Sequence, residues 1–270
     1  MIKCGITGSS GVLGRRIIKI LPYKFYKYKG DITDKNEVKK WINKYDFDIF
    51  IHLAAKVPVN EVNKDYKKAY SVNVNGTLNL IDSLNKKKNK PKWLFYASTS
   101  HVYKIGYKSI KINENNIAKP QNKYGKTKLM AEKCLMKNST IKFCIGRIFS
   151  FTDKNQKLPY VIPSITKKIK FSKKKITLNN LNHYRDFLNT KDIVSAIDTL
   201  RKNKSVGIYN IGTGKQFNLK TIANLIAKKF KKNIDFVDSK KSTYLISNCN
   251  KISKLNWKPK KFNMNLKYFY

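Results

Sequence analysis

Short apolar runs alternate with amphipathic stretches along the first two thirds of the chain. Residues 3–7 (KCGIT) read as a buried strand, and residues 12–20 carry apolar side chains at helical spacing before a stop at Pro22. Further strands are predicted over 24–28, 48–54, 93–97 and 142–148, with helices over 34–44, 71–84 and 124–136. In the 71–84 helix, Val72, Leu78 and Ile81 share one face, and the KKKNK that follows (86–90) is solvated. Strand and helix alternation builds a parallel sheet covered on both faces. Right-handed crossovers then leave little besides a doubly wound α/β fold. After Phe149 the pattern thins to a helix over 159–170 and a strand over 175–178. A helix over 192–200 and a strand over 207–212 are expected to rejoin the first sheet. A last helix (219–230) and strand (234–237) complete a smaller C-terminal α/β lobe. The expected division is therefore 1–150 with 186–212 as the main domain, and 151–185 with 213–270 as the lobe.

Composition changes this picture only modestly. The chain has 270 residues, 41% of them hydrophobic, enough for a substantial core. No apolar run approaches the roughly 18–20 residues of a membrane span, and the first residues enter a strand without a signal-peptide pattern. Four scattered cysteines (Cys4, Cys134, Cys144, Cys249) make no CxxC pair, so neither a metal site nor a disulfide scaffold is expected, and a reducing cytoplasm is. The net charge of +42 comes from 53 lysines but only five arginines, spread over every helix and loop. Nucleic-acid readers concentrate arginine on one face; this distribution reads as a solvated lysine surface, with no specific nucleic-acid partner. Such a surface speeds encounter with anionic small molecules.

Against that background, the absence of charge between Cys4 and Gly14 is informative. TGSSGVLG (7–14) places Gly8, Gly11 and Gly14 between the first strand and the first helix. Gly8 permits a sharp turn, Gly11 clears the approach of a pyrophosphate, and Gly14 lets the helix pack closely. The helix N-terminus offers free N–H groups, which need no charged side chain to hold phosphate. The expected architecture is accordingly Rossmann-like, with NAD or NADP as cofactor. Lys27 and Lys29 stand where many NAD binders carry an acidic ribose ligand, which slightly favours NADP.

A second constellation is YGKTK (124–128) at the start of a predicted helix, where positions 124 and 128 lie one turn apart on one face. A lysine ammonium close to a phenol lowers its pKa toward the working range of a base. YASTSHVY (96–103) supplies hydroxyls from Ser98, Thr99 and Ser100 at the carboxyl edge of the sheet, where doubly wound folds bind ligands.

These motifs, with GDITD (30–34), HLAA (52–55), NVNGTLNLIDSL (73–84), RDFLNTKDIVSAI (185–197) and YNIGTG (209–214), resemble the extended short-chain dehydrogenase/reductase family. Its members are NAD-dependent epimerases, dehydratases and reductases of nucleotide sugars. The resemblance implies Tyr124 as acid/base, Lys128 as its electrostatic partner and ribose ligand, and Thr99 as the catalytic hydroxyl. It implies cofactor contacts from Gly8, Ser10, Gly11, Val12, Leu13 and Gly14, from Asp31 and Ile32 along the adenine, and from Leu53, Ala54 and Ala55. Thr99, Ser100, Tyr124 and Arg185 would meet the substrate, Arg185 at its diphosphate. A homodimer through the helices of 73–88 and 124–136 is expected by the same analogy.

Departures from the family pattern narrow the choice. Dehydratases of the family carry Asp-Glu after the catalytic threonine, where this chain has Ser100 and His101. His101 is read as a locally bonded loop histidine before a substitute acid/base, and His183 and Cys144 as structural. The sequence therefore points to hydride transfer at a sugar carbon, most simply C4, in a 4-keto-sugar reductase. A 4-epimerase and a non-catalytic dinucleotide sensor are the alternatives.

Overall fold

In the computed structural model, which describes residues 1–173, 175–238 and 241–260, β1 (Lys3–Thr7) leads through the glycine loop into α1 (Val12–Ile20), β2 (Lys24–Lys27), α2 (Lys35–Lys44) and β3 (Ile49–His52). Two short helices, α3 (Val59–Lys64) and α4 (Tyr66–Tyr70), a π turn (Ser71–Asn75) and α5 (Gly76–Asn85) return the chain to β4 (Trp93–Thr99). A 3₁₀ turn (Ser100–Val102) and β5 (Lys111–Ile112) precede α6 (Lys123–Asn138), β6 (Phe143–Ile148) and β7 (Ser150–Thr152). Then come α7 (Val161–Lys170), β8 (Lys175–Asn179), β9 (Tyr184–Arg185), β10 (Phe187–Asn189), α8 (Thr190–Lys202) and β11 (Gly207–Ile211). The described chain ends with β12 (Phe217–Asn218), α9 (Leu219–Phe230), β13 (Asn233–Val237), β14 (Tyr244–Ser247) and α10 (Asn250–Ser253).

Six strands form one parallel sheet in the order β2-β1-β3-β4-β6-β11. The chain moves outward from β1 to β2, then reverses across β1 to β3. That reversal opens a crevice beyond the carboxyl ends of β1 and β3, where Thr7 pairs in register with His52. One face is covered by α1 and α8, whose Ile17, Ile193 and Ile197 pack on Ile6, Ile51 and Phe95. The other is covered by α2, α5 and α6 through Val38, Leu80, Ile81, Ala131 and Leu135. The strands are buried on both sides, which is why they read as apolar runs rather than alternating ones.

A third core joins α7 and α9 to the β8–β13 pair through Ile162, Ile165, Leu178, Ile222 and Ile226. It belongs to a small lobe that contributes Gln156, Tyr160 and Phe187 to the lining of the crevice. Three features differ from the sequence expectation. Ile252, Leu255 and Trp257, placed in the lobe by the 213–270 boundary, pack instead into the first core, and Trp257 Nε1 donates to Ser195 Oγ at 2.9 Å. Residues 261–270 of that boundary lie outside the described residues. The helix expected over 71–84 begins with a π turn continuous with α4. The β12-β9-β14-β5 sheet was not legible, because strands of two to four residues carry no usable period. Among the described residues no helix is long and apolar enough to cross a membrane.

Candidate active site

The glycine loop turns at Gly8, whose φ of +70° lies in the left-handed region, and a Cβ there would sit 2.7 Å from the Ala54 nitrogen. Gly14 is required by the loop rather than by the sheet, since its Cβ would lie 2.3 Å from the Gly8 carbonyl oxygen. Gly11 is different. A Cβ there would press on the Gly8 oxygen alone, at 3.3 Å, and meet nothing else within 4 Å, so the loop is open on its remaining side. Gly11 also caps α1 without a side-chain hydrogen bond, and the helix has no acidic residue in its first turn. The open side of the loop and the uncapped N–H groups together fit a pyrophosphate.

Behind the loop, a buried relay ties β1, β3 and α5 together. Thr7 Oγ1 lies 2.6 Å from His52 Nδ1, and His52 Nε2 lies 3.0 Å from Thr77 Oγ1. Thr77 spends its hydroxyl proton on the Asn73 carbonyl at 2.7 Å, so it accepts from His52. His52 is therefore the neutral Nε2–H tautomer, and burial together with the Lys128 charge pushes its pKa down to about 3. Asn73 lies in the π turn, accepting from Lys56 N at 2.7 Å and donating to Thr127 Oγ1 at 2.9 Å. The motif NVNGT was visible in the sequence, but its role as a clamp between the strand ends and α6 was not.

The chemistry-bearing residues converge from β4 and α6. The His101 amide donates to Thr99 Oγ1 at 3.3 Å, and the nearby Thr99 hydroxyl favours the ionised form of the Tyr124 phenol. Burial is the larger effect and holds the Tyr124 pKa above the usual phenol value. Lys128, one turn along α6, is fully buried, and its pKa is pushed down to about 7, with the Glu132 charge opposing the shift. Its Nζ lies 4.1 Å above the Tyr96 ring centroid. Desolvation dominates both groups, leaving a neutral phenol beside a lysine that titrates near neutrality. Glu132 is itself held by Arg147, with 2.7 Å between Oε2 and Nη2, and by the Ser98 hydroxyl.

Tyr124 and the 3₁₀ turn can meet because residue 125 is glycine. A Cβ there would stand 2.2 Å from the His101 carbonyl oxygen. Gly125→Ala must separate α6 from the turn; we expect catalytic efficiency to fall at least about 10²-fold, the usual consequence of misplacing a reacting group by an ångström. Steady-state kinetics beside a circular dichroism melt checks this.

A cleft of about 890 Å³ gathers most of the residues named from sequence: Gly8, Ser10, Gly11, Val12, Leu13, Gly14, Leu53, Ala54, Ala55, Thr99, Ser100, Tyr124 and Lys128 all line it. Three do not. Asp31 is exposed and holds the Thr33 amide at 2.9 Å and its hydroxyl at 2.8 Å; Gly30 lines the cleft in its place. Ile32 is buried in the core against Gly76. The Arg185 guanidinium donates to the Tyr184 and Thr243 carbonyls at 2.8 and 3.0 Å, within the small lobe. The lobe contributes Gln156 and Tyr160 to the cleft instead, two residues that sit in an irregular segment and carried no pattern.

A family model described as GDP-mannose 4,6 dehydratase matches residues 15–266. The chain belongs to that family. The resemblance to extended short-chain dehydrogenases/reductases drawn from the motifs is thereby borne out. Among curated relatives, GDP-6-deoxy-D-mannose reductase of Pseudomonas aeruginosa is 29% identical over 189 residues, covering 67% of this chain and 62% of that protein. The dTDP-D-glucose 4,6-dehydratase of Dictyostelium discoideum is 33% identical over 229 residues, covering 79% of this chain and 50% of its own. The matches thus span only 50–62% of these two relatives. A solved structure described as RMD from Pseudomonas aeruginosa complexed with NADPH superposes with a TM-score of 0.89 at 22% identity, covering 100% of this chain and 97% of that one, and shares the Rossmann-like fold.

Proposed function

We propose that the chain is an NAD(P)-dependent 4-keto reductase of a nucleoside-diphosphate sugar. The observation that carries this reading is the convergence of Thr99, Tyr124 and Lys128 on the glycine-loop cleft, with Ser100 and His101 rather than a carboxylate pair after the threonine. Reducing a carbonyl requires an acid for the nascent alkoxide. The Tyr124 phenol, protonated at neutral pH and lining the cleft, is placed to supply that proton. Thr99 lines the same cleft and is placed to share the substrate oxygen with Tyr124. Lys128 stands behind both as a proton reservoir that titrates near pH 7. When bound, a reduced nicotinamide supplies the hydride that the sugar carbon accepts.

Dehydration needs a second acid/base pair beside the threonine. Ser100 and His101 offer no carboxylate there, which supports reduction over elimination despite the dehydratase name of the family. Four free cysteines agree with a reducing cytoplasm. Met130 and Met136, exposed on α6, support pairing with a second copy through α5 and α6; sedimentation velocity showing a monomer would refute it.

The test is incubation with a panel of nucleoside-diphosphate sugars and their 4-keto forms, following reduced cofactor and sugar product. Stoichiometric consumption of NAD(P)H is expected; interconversion without consumption would mark a 4-epimerase, and no sugar product would end the proposal. Gly11→Val, filling the open side of the loop, should weaken NADPH and NADH binding at least about 10-fold, read by fluorescence titration, beside a melting-temperature loss of a few degrees from the poorer N-cap and the close Gly8 carbonyl.

A further inference from the structure

His101 occupies the cleft wall between Thr99 and Tyr124, and its hydrogen-bond pattern is decided by a neighbour. Asn122 caps α6: its Oδ1 accepts from the Gly125 amide at 2.8 Å. That bond fixes the orientation of the Asn122 amide, since an N–H cannot face another N–H. The Asn122 Nδ2 group, a donor only, lies 3.0 Å from His101 Nδ1. His101 Nδ1 must therefore accept, and the ring proton resides on Nε2. No described residue hydrogen-bonds to that Nε2, while His101 is among the residues lining the cleft and its ring lies 6.0 Å, edge to face, from Tyr124.

We infer that His101 is a fixed neutral donor of the sugar site, presenting Nε2–H to an oxygen of the sugar ring beside the one held by Thr99 and Tyr124. The inference rests on the nucleotide-sugar reading above and refines it. The only basic nitrogen of the ring is occupied by Asn122, so His101 cannot abstract a proton from carbon. It stands at the position where an elimination base would act and replaces it with a hydrogen-bond donor, so it selects among oxygenated sugars without opening an elimination route. Burial and the Arg185 charge from β9 both disfavour the imidazolium, and push the His101 pKa down to about 4. The uncharged Tyr124 phenol of α6 is the other titratable group against the ring.

Two measurements test this. The chain has three histidines, so long-range ¹⁵N imidazole spectra resolve each ring, with His101 assigned by its loss in His101→Gln. At pH 7 His101 should be the neutral Nε2–H tautomer. In Asn122→Asp, which keeps the cap acceptor but turns the second atom into an acceptor, the proton should move to Nδ1. An Nδ1–H or charged ring in the unaltered protein overturns the inference. For binding, glutamine places an amide N–H near the Nε2 position, whereas asparagine and phenylalanine do not. With the 4-keto sugar nucleotide turned over fastest in the panel, His101→Gln should keep KM within about threefold. His101→Asn and His101→Phe should raise it roughly 10–100-fold, the cost of leaving one buried polar partner unmatched. NADPH affinity should be unchanged in all three. Wild-type KM in the phenylalanine variant, or a glutamine variant as impaired as phenylalanine, overturns the donor role while the reductase reading stands. If the wild type turns over no sugar nucleotide, that reading fails and the inference falls with it.

Discussion

Replacing Tyr124 by phenylalanine is expected to lower kcat about 10²–10⁴-fold, the range for removing a positioned general acid, while NAD(P)H affinity stays within about twofold. The expectation follows from what the hydroxyl touches. It faces Thr99 and the cleft, and the ring around it packs near Val62 and Ala69 in a small apolar cluster that phenylalanine preserves. The folded structure therefore has little reason to change, and the loss should fall on the chemical step. Isothermal titration of the cofactor beside single-turnover kinetics separates the two. Unchanged turnover would remove Tyr124 from the mechanism, and a lost cofactor affinity would make its role structural.

The second large effect concerns Lys128, and its sign is opposite for activity and stability. A fully buried lysine whose pKa lies near 7 in the fold and 10.5 in the unfolded chain costs stability wherever it is charged. The unfolded chain binds the extra proton between those two values. Stability therefore rises with pH across that window, and the full cost is felt below it. Lys128→Met keeps the volume of the stem over Tyr96 and removes the charge. We expect its melting temperature at pH 6 to exceed the wild type by about 4–8 °C, on the order of 2 kcal/mol for a chain of this size, and the gap to close as pH approaches 10. Turnover should fall at least about 10²-fold. Equal melting temperatures at pH 6 would show that Glu132 and the Tyr96 ring compensate the buried charge completely.

How much of this was legible in the sequence depends on the reach of each interaction. The glycine loop was, because Gly8, Gly11 and Gly14 act within one turn of chain and their spacing is their geometry. Tyr124 and Lys128 were, because four residues on a helix are neighbours in space. The protonation of that pair was not. Spacing says that a cation stands near a phenol, whereas the depth at which both are buried is set by the small lobe and by α3. The Thr7–His52–Thr77 relay joins positions 45 and 25 residues apart, so no local pattern announces it. Asn122 is an intermediate case. An asparagine three residues before a glycine at a helix start is a readable cap, and only the fold shows that its second atom fixes a histidine. Asp31 marks the opposite case, where motif position placed a side chain along the cleft and hydrogen bonds to Thr33 hold it at the surface.

The proposed reaction turns on one event: a hydride arriving at the sugar carbon whose oxygen Tyr124 protonates. Single turnover with reduced cofactor deuterated at its transferable position, followed by mass spectrometry and proton NMR of the sugar nucleotide, observes that event. The account predicts one deuterium at sugar C4 and an unlabelled hydroxyl beside it. A reduced sugar with no label at C4 would contradict it.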